Sequence, residues 1–64
     1  MKRIAQKVSE EGLEVALAAA AGTDAEVVAE ASDLLYHLLV LLKARGLTLN
    51  GVAAELRARH LARS

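Results

Sequence analysis

The chain has 64 residues, and its eight basic and eight acidic side chains give a formal net charge of zero at pH 7. This balance provides no basic field that would attract nucleic acid or an anionic membrane surface. A chain of this length forms one small domain, residues 1–64, with a marginal core, and it has no cysteine for disulfides or zinc ligation. We therefore expect a homo-oligomer with neither a nucleic-acid nor a membrane partner.

The composition predicts an all-α fold, because proline is absent and residues of high helix propensity dominate. The first helix is expected to run from Lys2 to Ala21, with Gly22 as the left-handed residue that ends it. The sequence Thr23-Asp24-Ala25-Glu26 is typical of a capping box, in which the first and fourth residues satisfy exposed backbone N–H groups. A second helix should therefore start directly after a tight turn.

The second helix is expected to end near Arg45, where Gly46 repeats the stop signal. A shorter third helix is expected from about Thr48 to Arg59. The longest apolar run, from Leu34 to Leu42, is about half of the roughly 20 residues that a membrane-spanning helix needs, so it predicts a core helix. No secretory signal is visible at the N-terminus, and together with the absence of cysteine this favours the cytoplasm.

A tight turn between two long helices makes them antiparallel, so residues whose numbers sum to about 44 or 45 lie at the same height. Glu14 then faces Glu30, and Glu11 faces Asp33. Within each helix the two acidic residues are three positions apart and share one face. The sequence therefore predicts that four carboxylates from two helices converge.

Clustered carboxylates that face inward repel each other and lose hydration, unless they are protonated, paired with cations or bound to a metal. Mg²⁺ is the best match, with Mn²⁺ as a substitute, and helix bundles build carboxylate metal sites in this way. A redox iron site is disfavoured, because no Glu-x-x-His motif includes His37 or Glu30. The alternative is a solvated acidic face. Glu10 points about 100° away from Glu11, and we expect it to assist the site or to face solvent.

Three further polar residues are expected one turn beyond the carboxylates. His37 should stand at the height of Lys7, either as a structural histidine bonded to Asp33 or in a substrate or catalytic role. Lys7 and Arg3 are candidates for binding phosphate beside the metal. An intrahelical ion pair between Lys7 and Glu11, four residues apart, is an equally open interpretation of Lys7.

Three segments of the chain resemble a known family: KRIAQKVSEEGLEVALAA, EASDLLYHLLVLLKARGLTL and AELRARH. They are similar to phosphoribosyl-ATP pyrophosphohydrolase, which belongs to the all-α MazG-like nucleoside-triphosphate pyrophosphatases. The hallmark of that superfamily is EExxE followed at a distance by ExxD. The resemblance covers nearly the whole chain, and it implies an antiparallel helical hairpin plus a short third helix, forming a dimeric or higher helix bundle.

The resemblance also implies a Mg²⁺-dependent, nucleotide-binding hydrolase of histidine biosynthesis that converts phosphoribosyl-ATP to phosphoribosyl-AMP and pyrophosphate. Metal ligands carried over from the motif are Glu11, Glu14, Glu30 and Asp33. The catalytic candidates are Glu10, Glu11 and Glu14, and the substrate-binding candidates are Arg3, Lys7 and His37. Family members usually have a further N-terminal helix before this region, so an N-terminal truncation is expected. A housecleaning nucleoside-triphosphate pyrophosphatase and a catalytically silent oligomerisation module are the alternatives.

Overall fold

A computed structural model describes residues 1–63, which form three helices and no strand. The helices are α1 (Lys2–Ala21), α2 (Asp24–Ala44) and α3 (Leu49–Arg63). Side chains of α1 meet side chains of α2 in reversed order along the chain, so the two long helices form an antiparallel hairpin. The all-α prediction is confirmed, and α1 has the bounds that the sequence predicts.

The turn between α1 and α2 consists of Gly22 and Thr23. The predicted capping box is present: Thr23 Oγ1 accepts the main-chain N–H of Glu26 at 3.2 Å, and Glu26 Oε1 accepts that of Thr23 at 3.3 Å. The prediction of a left-handed Gly22 is wrong, because its φ of −103° and ψ of −172° are extended. Glycine is needed there for space instead, since a Cβ atom would lie 2.9 Å from the carbonyl oxygen of Ala18.

The C-terminus of α2 ends as the sequence predicts, at a left-handed glycine. Gly46 has φ of +71°, and its N–H donates to the carbonyl of Lys43 at 3.0 Å. The N–H of Leu47 donates to the carbonyl of Leu42 at 2.8 Å, which completes a Schellman motif. The third helix continues to Arg63 rather than ending near Arg59.

The packing in the chain is almost entirely between α1 and α2, and α3 makes few contacts with the hairpin. No side chain of residues 1–63 is fully buried, and Leu42 is the one apolar residue among them that is less than a tenth exposed. The chain exposes 5193 Å², whereas a folded monomer of 6.8 kDa is expected to expose about 4,000 Å². The excess of about 1,200 Å² indicates a fold that lacks a self-contained core.

Much of the exposed surface of the hairpin is apolar. On α2 the side chains of Val28, Leu35 and Leu39 lie on one stripe, and all three are exposed. On α1, Leu13 and Leu17 are exposed on the side away from Glu11. The apolar run from Leu34 to Leu42, which is predicted to form a core helix, is therefore only partly covered within a single chain. No helix in residues 1–63 combines the length and apolar character that a membrane crossing requires.

Candidate functional site

The carboxyl groups of Glu14 and Glu30 lie side by side between α1 and α2, as the hairpin geometry predicts. A hydrogen bond between the two carboxyls raises the pKa of Glu30. Desolvation raises the pKa of Glu30 further, and so do the charges of Glu14, Asp33 and Glu11. The other three predicted carboxylates are thus all close enough to act on Glu30.

One oxygen of this cluster lacks a partner. Glu30 Oε2 is buried and makes no hydrogen bond. Buried polar atoms are normally paired, and an unpaired buried carboxylate oxygen is costly. A surface concavity of about 330 Å³ adjoins Glu30 and is also lined by Glu14, Glu26 and Ala18. The cluster therefore opens onto a space in which a further group can reach Glu30.

Glu11 is the most buried charged residue in the described part of the chain, with 7% of its surface exposed. Its Oε1 atom lies 2.6 Å from His37 Nδ1, a contact that joins α1 to α2. The same nitrogen lies 3.2 Å from the main-chain oxygen of Asp33. His37 is therefore bonded to Asp33 through the backbone only, and its carboxylate partner is Glu11.

The basic residues of α1 lie next to His37. Arg3, Ile4, Lys7 and His37 line a second concavity of about 270 Å³, so the predicted neighbourhood of His37 and Lys7 is confirmed. Within residues 1–63 the ion pairs are Glu11 with His37 and Glu55 with Arg59, and Lys7 is in neither. The ion pair between Lys7 and Glu11 is therefore not formed, because the Glu11 carboxylate is turned to His37.

The acidic candidates differ in exposure: Glu10, Glu14 and Asp33 are exposed, Glu30 is half-buried and Glu11 is buried. The charge of the exposed Asp33 still acts on Glu30. In the described residues, no three or more His, Cys, Asp or Glu side chains are grouped so that they could hold a metal ion. The side chains of Glu14 and Glu30 are adjacent, but that of Glu11 is engaged by His37. The four carboxylates therefore share one region without surrounding one common point.

The contact between Glu11 and His37 is the feature that the sequence reasoning missed. Equal height pairs Glu11 with Asp33, which is four residues before His37. The Cα–Cβ bonds of a helix tilt toward its N-terminus, so Glu11 leans away from the turn and His37 leans toward it. Adding this tilt to the hairpin geometry would have brought the two side chains together.

Fold and site together define an all-α protein with a carboxylate cluster between two antiparallel helices. The family model of phosphoribosyl-ATP pyrophosphohydrolase matches residues 1–60. The chain belongs to the phosphoribosyl-ATP pyrophosphohydrolase family, and the resemblance drawn from the sequence is confirmed at this level.

Curated relatives agree with this assignment. The chain is 61% identical over 59 residues to the histidine biosynthesis bifunctional protein HisIE of Vibrio parahaemolyticus, covering 92% of this chain and 28% of the relative. It is 64% identical over 59 residues to the protein of that name from Shewanella oneidensis, with the same coverage. For Xanthomonas campestris the identity is 58% over 60 residues, covering 94% of this chain and 29% of the relative. The chain thus spans a little more than a quarter of the length of these relatives. No solved structure matches the chain.

Proposed function

We propose that the chain hydrolyses phosphoribosyl-ATP to phosphoribosyl-AMP and pyrophosphate with Mg²⁺ as cofactor, as a step of histidine biosynthesis. The observation that carries this proposal is the buried, unpaired Glu30 Oε2 beside Glu14, within the region that matches the family. Such an oxygen is accounted for if a cation completes the site. The names of the bifunctional relatives support histidine biosynthesis as the pathway.

The donor set fits a hard divalent cation. Mg²⁺ and Mn²⁺ favour carboxylate oxygens, and Mg²⁺ is usually held by one or two carboxylates together with substrate phosphates. Glu14 and Glu30 are adjacent, while Glu11 and Asp33 act electrostatically on Glu30. We therefore propose Glu14 and Glu30 as the central pair of ligands. Glu11 and Asp33 would complete the set by side-chain movement toward this pair, because the four carboxylates do not surround one common point in the described structure. When bound, the cation would neutralise phosphate charge and lower the pKa of a bound water.

The remaining candidates have roles that follow from their positions. Glu14, being exposed and next to Glu30, is suited to accept a proton from the attacking water, with Glu10 assisting from the exposed face of α1. Arg3 and Lys7 line a concavity with His37 and take part in no ion pair within residues 1–63, so their charges are available to phosphate oxygens. In this assignment, Arg3, Lys7 and His37 bind the anionic part of the substrate.

We also propose that the chain acts as a homodimer. An excess of about 1,200 Å² per chain corresponds to about 2,400 Å² for two copies, within the range of obligate homodimers. The exposed stripe of Val28, Leu35 and Leu39 supplies apolar surface of the kind that such interfaces contain. The cytoplasmic location stays a prediction.

Release of pyrophosphate from phosphoribosyl-ATP, compared with a panel of nucleoside triphosphates, tests the proposal. Each substrate is measured with and without Mg²⁺. We expect pyrophosphate to be released from phosphoribosyl-ATP, and only when Mg²⁺ is present. Preference for ordinary nucleoside triphosphates would instead indicate a housecleaning pyrophosphatase. If no substrate releases pyrophosphate, the result would indicate the catalytically silent oligomerisation module. Glu55→Gln is the control, because it neutralises an exposed carboxylate of α3 that is paired with Arg59. This variant should release pyrophosphate like the parent.

A further inference from the structure

Glu11 and His37 form a contact whose role the proposed chemistry does not explain. A buried carboxylate requires a partner, because desolvation of an unpaired charge is costly. Of its two oxygens, Oε1 is engaged by His37 Nδ1 at 2.6 Å. Oε2 is therefore the oxygen of Glu11 that is left for another ligand.

The surroundings of His37 fix the position of its proton. The main-chain oxygen of Asp33, 3.2 Å from Nδ1, can only accept a hydrogen bond. An ionised Glu11 carboxylate also only accepts. Nδ1 therefore carries the proton and donates it, chiefly to the nearer Glu11, and the ring packs edge-on against Tyr36 with centroids 5.0 Å apart.

We propose that His37 is a positioning residue for Glu11: its Nδ1–H holds Oε1 and so orders the carboxylate before a divalent cation binds. This inference rests on the proposed function, because it takes Glu11 to be a cation ligand. Ligating carboxylates are commonly held by such outer hydrogen bonds, and loss of the outer partner typically weakens metal affinity by about 10- to 100-fold. A buried ion pair that only stabilises the hairpin is the competing explanation.

Two substitutions separate the nitrogen atoms of the ring. In His37→Asn the side-chain amide nitrogen takes roughly the place of Nδ1, whereas in His37→Gln it takes roughly the place of Nε2. We expect His37→Asn to bind Mn²⁺ with nearly the affinity of the parent and His37→Gln to bind about 10- to 100-fold more weakly in calorimetric titration. The control for histidine replacement is His60→Gln on α3, the other histidine of the chain. The His60→Gln chain should bind Mn²⁺ with the affinity of the parent.

The results distinguish this inference from the proposed function. If the parent chain binds Mn²⁺ and both His37 variants bind it equally well or are weakened equally, the positioning role is wrong while the proposed function stands. If the parent itself does not bind Mn²⁺, the metal-dependent function fails and the inference fails with it. A purely structural ion pair would lower the melting temperature of both variants without separating their Mn²⁺ affinities.

The proton position can be measured without any variant. Nitrogen-15 chemical shifts of the His37 ring in the metal-free parent chain should show a protonated Nδ1. A neutral ring with its proton on Nε2 would overturn the inference even if the variants failed to fold.

Discussion

The apolar stripe of α2 gives a quantitative prediction about self-association. Leu35 lies in the middle of this stripe, between Val28 and Leu39, and 47% of its surface is exposed in the single chain. Leu35→Gln removes apolar surface from the stripe without adding charge. Leucine and glutamine have similar helix propensities, so α2 should be kept.

The expected magnitude follows from the exposed fraction of Leu35. Complete burial of a leucine side chain contributes about 1.5 to 3 kcal/mol. Since about half of Leu35 remains to be buried, each chain of a dimer would gain about 0.7 to 1.4 kcal/mol from it. A symmetric dimer contains the residue twice, so Leu35→Gln should weaken association by about 10- to 100-fold.

Sedimentation equilibrium over a range of concentrations measures this change. The matched control is Leu61→Gln on α3, which removes the same side chain from a residue that is 65% exposed and lies outside the hairpin. We expect the parent and the control to dissociate at similar concentrations. A parent that is a folded monomer at micromolar concentration, or a Leu35→Gln chain that associates like the parent, would refute the assignment of this stripe to the interface.

Three further predictions concern stability and are read from melting curves. The folded-state pKa of Glu30 is raised above its ordinary value of 4.5. Between these two pKa values the unfolded chain binds fewer protons than the folded chain, so the metal-free chain should lose stability as pH rises from 4.5 through the folded-state pKa. Glu30→Gln should remove this pH dependence of stability and raise the melting temperature of the metal-free chain at neutral pH. It should also abolish the stabilisation by Mg²⁺, which for the parent is about 2.7 kcal/mol at a hundredfold excess over Kd. A melting temperature equal to that of the parent with and without Mg²⁺ would contradict the site. Thr23→Ala should cost about 1 kcal/mol through loss of the capping box, and a loss of less than a few tenths would contradict that role. Gly22→Ala should destabilise the fold by about 1 to 3 kcal/mol, because the added Cβ would meet Ala18. Gly12→Ala has open space around its Cβ and should stabilise the fold by up to about 1 kcal/mol. Equal effects of the two substitutions would contradict the close approach of Gly22 to Ala18.

Local sequence signals were sufficient to predict the helices and the approach of Glu14 to Glu30 in the site. The capping box and the left-handed Gly46 depend on a few neighbouring residues, so their sequence patterns determine them. Once the turn was known, helix geometry brought Glu14 to Glu30, and the structure agrees. These features need no knowledge of what else the chain contacts.

Other features depend on side-chain direction or on space between segments. Glu11 contacts His37 because of the tilt of helical side chains, which equal height alone does not include. Gly22 is extended because α2 starts at once with a Thr23 cap, and its close approach to Ala18 is visible only in three dimensions. The extra length of α3 beyond Arg59 has no distinct sequence signal.

Phosphorus-31 NMR of phosphoribosyl-ATP incubated with the chain and Mg²⁺ tests the central claim most directly, because it identifies the bond that is broken. We predict that phosphoribosyl-AMP and pyrophosphate appear together in equal amounts, and that neither appears with Glu30→Gln or when Mg²⁺ is removed by a chelator. The Glu55→Gln control should give the same products as the parent. Orthophosphate with phosphoribosyl-ADP, or product formation that is unchanged in Glu30→Gln, would contradict the account.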